Sequence, residues 1–526
     1  MLQSKYLAIG GFAGTLVLWL LSFIVFAYPM LHVFLVVVFL VGFTFLAFRS
    51  YSWALVIFFF ELVIGNKGAL FSVPVGDEVI GIRLALFVIV MFTWFVHARR
   101  EKRIFVLQST PYGMPWLLLI LLFIGGALYG YFRDPSSLVY FDANGYIFYL
   151  ALLPLTLVLF DRVWWKNFFP VLLGATTAIA ILTIFISLSF TLFFDTGDFT
   201  AATSITEEQR IALRGETNEE GILAQTTTRS ADKIYLDENE GGGMTAVYRW
   251  LRDTGNAEVS FVGSAFFRVF LSSHVFLFLA FLWLFVRVAQ QEKMFAKGKR
   301  YLLVLLLLYG ITMAVSFSRS LWLGIALAIL FAVFLLSGRA RVRAASAVGI
   351  TGLVGVLVLV FLFPNVGQIF VDRFMSLLRP TQELAASTRL SLLEPIWERI
   401  QERPFFGWGF GTTVSFLAPV PGTEIVETIK VYLFEWSYLD LMVKTGIVGL
   451  CIFLFFLVAG FREALRAFRM QHNAETITLL AGILFLAVTH FTTPYLNHPL
   501  GIGALLILFS GALFITQHHD IAERHN

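Results

Sequence analysis

Arginine and carboxylate side chains are the first candidates for chemistry in this chain, because it carries few charges of any kind. The predicted catalytic residues are Glu435, Arg319 and Arg389. The planar guanidinium of arginine binds phosphate oxygens through two parallel hydrogen bonds. A carboxylate in a partly dry pocket can act as a general base. Together these residue types suit the transfer of a group from a diphosphate-linked donor without a metal ion.

Arg319 lies in the sequence Ser318-Arg319-Ser320, within an apolar stretch at 302–336. As one helix this stretch would be about 50 Å long, which is too long for a bilayer core of about 30 Å. We expect it to fold back at the polar residues 316–320. Ser318 is then a candidate substrate contact and Arg319 lies at the outer ends of two helices. The alternative is an interfacial arginine with no role in binding.

Three more polar side chains of the predicted outer side are candidates for substrate binding. Arg268 lies at the predicted outer start of a span near residue 261, and His274, deeper in that span, is a partner or, as we favour, a buried structural residue. His490 and His498 flank the last predicted outer loop. A zinc site would need further ligands at suitable spacing, which the sequence lacks, so hydrogen bonding to a substrate or interfacial polarity is the better interpretation.

Arg389 opens an amphipathic segment, 387–400, which would lie along the membrane surface or cover a cavity. Arg403 follows this segment as a further candidate for substrate binding. Three glycines that alternate with aromatic residues come next: Gly407, Gly409 and Gly411. Backbone amides beside such glycines could hold an anion, although a tight turn with aromatic membrane anchors explains the pattern equally well. The spacing does not match the dinucleotide-binding glycine motif.

Glu435 lies at the predicted outer mouth of a span at 437–460 and is the candidate general base. Tyr438, at the start of that span, is a candidate substrate contact. Asp440 lies one turn deeper, and Lys444 follows it by four residues, a spacing that brings two side chains together on a helix. We therefore interpret Asp440 and Lys444 as a structural pair.

Membrane-spanning helices have to position these residues, because the composition excludes a soluble enzyme. Of 526 residues, 58% are hydrophobic and only 14% are charged, with a mean hydropathy of +0.82, against roughly 45–50% and about 25% in soluble domains. The net charge of +4 is too balanced to indicate nucleic-acid binding. The single cysteine, Cys451, excludes an internal disulfide and a thiolate metal site.

The predicted fold is an all-α, polytopic helix bundle with about fourteen spans. They lie near residues 7–27, 31–48, 52–66, 80–97, 113–132, 144–160, 168–194, 261–288, 301–317, 321–337, 346–363, 437–460, 475–490 and 499–516. More than half of the 38 basic residues fall in one set of loops. The positive-inside rule therefore predicts that both termini are cytoplasmic. Alternate loops then face the outside, which in a bacterium is the periplasm or the cell exterior.

Four regions follow from this topology. They are the N-terminal helices 1–194, an acidic outer loop 195–260, a core 261–460 that includes the outer loop 364–436, and the C-terminal helices 461–526. The loop 195–260 is either a mobile lid or appendage, or an unstructured excursion without a role in chemistry.

The order of these motifs resembles the O-antigen ligase and polysaccharide polymerase superfamily over about residues 260–460. The motifs that carry the resemblance are Ser318–Gly324, Arg389–Trp397, Pro404 with Gly407, Gly409 and Gly411, Ser437–Leu439 and Thr445–Leu450. That family is similar to the C-type membrane glycosyltransferases. The resemblance implies an undecaprenyl-diphosphate-linked glycan donor on the periplasmic side, a glycan or lipid A core acceptor, and no metal or cofactor. It also implies that Arg319 and Arg389 contact the diphosphate and that Arg268 matches a further arginine of the family.

One position departs from the family pattern. Many ligases carry a His-Asn pair before the segment that starts at Ser437, where this chain has Glu435 and Trp436. Either Glu435 is the base, or the acceptor differs, or catalysis is lost, and we favour a polymerase over a lipid A ligase. The alternatives are a transporter or flippase for a lipid-linked glycan, which would need polar residues through to both faces, and a non-catalytic assembly protein.

Overall fold

The computed structural model describes residues 2–524 apart from 69, 76–77, 105, 160, 194–242, 263–265, 292–299, 363–366, 368–388 and 420–425. Within these residues, nine helices are long and apolar enough to cross a membrane, and five shorter apolar helices lie among them. The chain is therefore a mainly helical, polytopic membrane protein. Each predicted span overlaps one of these helices. The count of fourteen crossings and the cytoplasmic location of both termini stay predictions.

The first part of the chain is a set of closely packed helices. Its elements are α1 (Leu2–Phe26), α2 (Pro29–Arg49), α3 (Tyr51–Ile64), β1 (Ser72–Val75), β2 (Glu78–Gly81), α4 (Ile82–Arg100), α5 (Gly113–Arg133), α6 (Ser137–Ala143), α7 (Leu152–Val158) and α8 (Arg162–Phe193). An apolar run forms a helix in lipid because every backbone hydrogen bond then stays within the segment. Helix α1 lies directly on α8, since Gly11 meets the backbone of Val171 and Gly174 meets that of Ala8.

A small helix and a hairpin precede the next membrane helix. They are α9 (Gly243–Asp253), β3 (Glu258–Val262) and β4 (Phe266–Phe270), and α10 (His274–Gln290) follows. The prediction that a span starts near residue 261 is therefore wrong. Aromatic and β-branched residues favour strands, and the two segments pair with Ser260 opposite Arg268. The acidic loop predicted at 195–260 lies mostly outside the described residues, and its last part forms α9 and the start of β3.

The rest of the chain carries most of the residues predicted to do chemistry. Its elements are α11 (Arg300–Val315), α12 (Arg319–Leu335), α13 (Gly338–Leu362), α14 (Leu393–Glu402), β5 (Val414–Pro419), β6 (Val426–Val431), α15 (Ser437–Met470), α16 (Ala474–Thr489) and α17 (Pro499–Arg524). The predicted fold-back at 316–320 is confirmed by the gap between α11 and α12. There Phe317 adopts φ +47°, a left-handed conformation that allows a tight turn.

Helix α14 covers the second half of the predicted amphipathic segment 387–400 and continues to Glu402. Pro395 lies in its first turn, where a proline loses no intrahelical hydrogen bond. Ile396 and Ile400 are buried on one face, while Trp397 and Glu398 are exposed on the other. Most of the predicted outer loop that precedes α14 lies outside the described residues.

Helix α15 is interrupted at Gly446, which has φ 67° and ψ −171°. The amides of Ile447 and Val448, which follow the break, donate to Pro404 O at 2.8 Å and Phe405 O at 3.2 Å. Helix α15 therefore consists of a short segment, 437–445, and a long segment, 447–470, with the loop after α14 bound at the break.

The few ionic groups in the interior are paired. Arg83 of α4 donates to Glu61 of α3 through two hydrogen bonds, of 2.8 and 3.2 Å, which offset the cost of burying each charge in a membrane protein. His274 is fully buried, and its Nε2 lies 3.0 Å from Thr183 Oγ1. The interpretation of His274 as a structural residue is thus confirmed.

Candidate functional site

The turn between α11 and α12 presents Arg319 at one end of the bundle. Arg319 is the first residue of α12 and is partly exposed. Trp322 Nε1 donates to Met313 O at 2.8 Å and so ties the two helices together. A cation in the first turn opposes the helix dipole by roughly 0.3–1 kcal/mol, so Arg319 is poorly suited to stabilising α12. An anion at this turn would be favoured by both the dipole and the guanidinium.

Arg268 reaches the same turn from strand β4. Its Nε donates to Ser316 O at 2.9 Å, and its guanidinium lies 5.1 Å from the ring centre of Phe270. Two of the predicted arginines, Arg268 and Arg319, are therefore brought to one turn. Arg268 comes from a hairpin rather than from the helix that the sequence predicted.

The loop at 490–498, between α16 and α17, lies against this turn. Thr493 Oγ1 donates to Ser320 Oγ at 2.8 Å. His490 is fully buried, its Nδ1 accepts a backbone N–H of the same loop at 3.2 Å, and its ring packs edge-on against Tyr438 at 4.8 Å. His490 therefore supports the loop from inside and does not reach solvent in this structure.

Glu435 and Arg389, the predicted base and a predicted diphosphate contact, form an ion pair through the carboxylate and the guanidinium Nε. Their side chains are 46% and 33% exposed. Trp436 Nε1 donates to Arg389 O at 2.7 Å, and its ring packs edge-on against Phe491 at 5.8 Å. The loop 490–498 thus contacts both the turn that carries Arg319 and the segment that carries Glu435.

We name Arg268, Arg319, Arg389 and Glu435 the arginine mouth. Within this set of described residues, three positive charges stand against one negative charge, which favours anions, and a guanidinium has the fork of donors that matches phosphate. Ser318 lies within the turn beside it, 3.5 Å from Ser320 between their hydroxyl oxygens. The hydroxyl of Tyr438 donates to Ala487 O at 2.9 Å and joins α15 to α16.

The glycine-rich loop lies elsewhere, between α5 and α15, and we name residues 403–412 the glycine joint. Its three glycines, at 407, 409 and 411, have φ of +67°, +84° and +78°. The amide of Trp408 donates to Val443 O at 2.8 Å, and that of Gly409 donates to Lys444 O at 2.8 Å. The amide of Gly411 donates to Asp142 Oδ2 at 2.8 Å. The amides proposed to hold an anion are therefore occupied by protein acceptors.

Asp142, Asp440 and Lys444 form a fully buried cluster between the glycine joint and the arginine mouth. Lys444 Nζ lies 2.5 Å from Asp142 Oδ1 and 2.7 Å from Asp440 Oδ1, which confirms the predicted pair and adds a second carboxylate. Asn497 of the loop 490–498 donates to Asp440 Oδ2 at 3.1 Å. The amide of Phe434, next to Glu435, donates to Asp440 Oδ1 at 3.3 Å. The cluster therefore positions the segment that carries Glu435.

His498 lies near the N-terminal helices rather than at the arginine mouth. Its pKa is lowered because the ring is shielded from solvent and because Arg83 and Lys67 lie nearby. The imidazole is therefore neutral at pH 7. It offers hydrogen bonds and not a charge, and the structure does not bring it to Arg319 or Glu435.

Two contributors to this site were missed from the sequence, Asp142 and Thr493. Asp142 lies just before the predicted span at 144–160, within a helix that the structure extends from Ser137 to Val158. An aspartate in such a helix needs a partner, and the buried Lys444 could have been considered as one. Nothing in the sequence pointed to Thr493, because a threonine in a polar loop has no distinguishing pattern. Among the residues that the structure describes, no group of three or more His, Cys, Asp or Glu side chains is arranged to hold a metal ion.

Comparison with known families identifies one segment of the chain. Residues 302–454, less than a third of its length, match the family model of the O-antigen ligase. This segment contains Arg319, Arg389, Glu435 and the whole glycine joint. No curated protein matches the chain. Residues 302–454 of this chain are therefore similar to the O-antigen ligase family.

Proposed function

We propose that this protein polymerises glycan units from an undecaprenyl-diphosphate-linked donor, without a metal, on the periplasmic face of a bacterial inner membrane. The match of residues 302–454 to the O-antigen ligase family model supports a membrane enzyme of the ligase or polymerase type in surface polysaccharide synthesis. The observation that carries the finer proposal is the convergence of Arg319 and the Arg389–Glu435 pair on one loop, 490–498.

The chemistry requires an anion site and a base. In the proposed step, an acceptor hydroxyl oxygen forms a bond to the anomeric carbon of the donor glycan. The bond from that carbon to the diphosphate oxygen breaks, and the lipid diphosphate leaves with the electron pair. Arg319 and Arg389 stabilise the charge on the leaving diphosphate, Arg268 supports the turn that carries Arg319, and Glu435 takes the proton of the hydroxyl.

The ion pair between Arg389 and Glu435 couples donor binding to the base. A carboxylate that is bound to a guanidinium has less of its charge available to a hydroxyl group. A diphosphate that binds Arg389 competes with Glu435 for the same guanidinium. Binding of the donor would therefore release the Glu435 carboxylate next to the reacting carbon. Without donor, the carboxylate would stay bound to Arg389 and would not accept a proton.

We favour a polymerase over a lipid A ligase because this chain has Glu435 and Trp436 where many ligases carry a His-Asn pair. Trp436 is held by Arg389 O and Phe491, so its ring forms part of the wall beside Glu435. An aromatic wall next to a carboxylate suits a sugar ring as acceptor, because the apolar face of a sugar packs on aromatic rings while its hydroxyls reach the carboxylate.

The experiment is a transfer assay with purified protein, undecaprenyl-diphosphate-linked oligosaccharide and EDTA. We expect the wild-type protein to form glycan chains longer than the donor oligosaccharide. The substitution Arg319→Ala should lower the rate of glycan transfer by roughly 10²–10³-fold. Arg462→Ala, an exposed arginine of the long segment of α15, is the matched control and should keep the wild-type rate. Product that forms only after addition of lipid A core would identify a ligase. Wild-type polymer length in Arg319→Ala would refute the role of the arginine mouth.

A further inference from the structure

A groove of about 580 Å³ runs between α5 and the glycine joint, on the side of α15 that faces α5. Its lining includes Leu121, Gly125 and Tyr129 of α5, Phe405 of the joint and Thr445 of α15. Leu121 and Tyr129 are 56% and 42% exposed. Because α5 and α15 are both long enough to cross a membrane, an exposed apolar groove along them opens to the lipid.

Three arginines gather at the end of this groove around one tryptophan. The guanidinium carbons of Arg403, Arg399 and Arg133 lie 4.2, 5.0 and 5.4 Å from the ring centre of Trp408. Arg403 is exposed and Arg399 is partly exposed. The nearby acidic groups are Glu402, which pairs with Arg399 at 2.9 Å, and Asp134, which follows Arg133 in the chain. Three cations so close together repel one another, and a bound anion relieves that repulsion.

We propose that this groove and its three arginines bind an anionic phospholipid of the surrounding bilayer. An acyl chain would lie along Leu121 and Gly125, and the phosphate would meet Arg403 and Arg399. Phe405 and Phe406, 65% and 75% exposed, lie beside the arginines, as aromatic residues do at the headgroup level of a membrane.

A bilayer phospholipid suits the groove better than the glycan donor does. The arginine mouth lies at the other end of α14, whose ten residues span about 15 Å. The groove opens sideways to the membrane, where phospholipid is the most abundant amphiphile. The two lipid sites would therefore be separate, and this proposal does not depend on the proposed function.

The test is lipid retention by the full-length protein, measured by native mass spectrometry after exchange into detergent with phosphatidylglycerol, phosphatidylcholine or undecaprenyl phosphate. We expect phosphatidylglycerol to be retained in preference to phosphatidylcholine. The double substitution Arg399→Ala with Arg403→Ala should lower its retention on the order of tenfold. Arg462→Ala, at the other end of α15, is the matched control and should retain it fully.

A second variant fills the groove without disturbing the fold. No atom of another residue lies within 4 Å of a Cβ built at Gly125, so Gly125→Leu should fold normally and lose phosphatidylglycerol. Equal retention of the two phospholipids by the wild-type protein would overturn the proposal. Wild-type retention by Gly125→Leu would do the same, and so would retention of undecaprenyl phosphate in place of phosphatidylglycerol.

Discussion

The arginine mouth and the glycine joint both contain residues that the sequence predicted to bind substrate, but the structure gives the two regions different surroundings. In the mouth, Arg319 and Arg389 are partly exposed on separate elements that meet at one loop. In the joint, the backbone amides are bound by α5, α6 and α15, and the glycines fit where no side chain could. The order of the motifs in the sequence predicted that the mouth and the joint form one site. In the structure, only the mouth has partly exposed ionic groups beside the predicted base, Glu435.

This difference shows how to separate residues that bind a substrate from residues that shape a scaffold. A backbone amide that already donates to a protein acceptor has no hydrogen left for a ligand, so it contributes to stability. A charge held at the surface by a rigid frame can act on a ligand. Substitutions in the mouth should therefore change the transfer rate, and substitutions in the joint should change stability.

The largest expected effect is in the mouth. Glu435→Gln keeps the shape of the side chain and removes its basicity, so we expect the transfer rate to fall at least about 100-fold, with little change in melting temperature. Glu398→Gln, the same change at an exposed position of α14, should leave both unchanged. The rate is measured by polymer formation from lipid-linked donor. A Glu435→Gln protein with wild-type rate would exclude Glu435 as the base.

The next effect concerns the cluster that joins the two regions. Lys444→Met leaves Asp142 and Asp440 buried without their cation, and we expect a loss of about 3–5 kcal/mol in the free energy of unfolding. Lys430→Met, at a partly exposed position of β6, is the control and should cost less than about 0.5 kcal/mol. Denaturant unfolding in detergent measures both. Equal stability of the two variants would show that the cluster does not hold the fold.

A smaller effect is expected within the joint itself. Gly409 has φ +84°, and a Cβ there would lie 2.6 Å from Gly130 N. Gly409→Ala should therefore destabilise the protein by about 1–3 kcal/mol. Gly125→Ala, in an open position of α5, should stabilise it by up to about 1 kcal/mol. If both variants have the same melting temperature, the joint is not the tight contact described above.

The smallest expected effect comes from removing one threonine hydroxyl in each region. Thr493→Val removes the hydrogen bond to Ser320 in the mouth, and we expect a transfer rate about three- to tenfold lower. Thr412→Val removes a hydrogen bond to Gly409 O in the joint and should lower stability, with a rate within about twofold of wild type. Steady-state rates and melting temperatures of both variants test this. A lower transfer rate in Thr412→Val together with a lower melting temperature in Thr493→Val would contradict the roles given to the two regions.

Most of the fold could be predicted from hydropathy, because a membrane helix has a continuous apolar run and few alternatives. The fold-back before Arg319 followed from length alone. The β3–β4 hairpin could not be predicted in this way, since the aromatic run that contains Arg268 is equally apolar as a strand and as a helix.

The site could be predicted only in part. Residue types identified Arg319, Arg389 and Glu435 as candidates, but not that Arg389 and Glu435 pair with each other, because this contact joins segments that are 46 positions apart. The sequence also did not predict that the backbone amides of the joint donate to protein acceptors, since these acceptors lie on α5, α6 and α15. Long-range partners of this kind depend on packing, and no local spacing encodes them.

The interruption of α15 at Gly446 has a consequence for the membrane. Unbroken, a helix of 34 residues would be about 50 Å long and would have to tilt strongly in a bilayer core of about 30 Å. With the break, the long segment can adjust its tilt to the thickness of the host membrane. The short segment stays fixed by the joint and the buried Lys444. The tilt that the long segment needs to match the bilayer therefore does not fix the direction of the short segment beside Glu435.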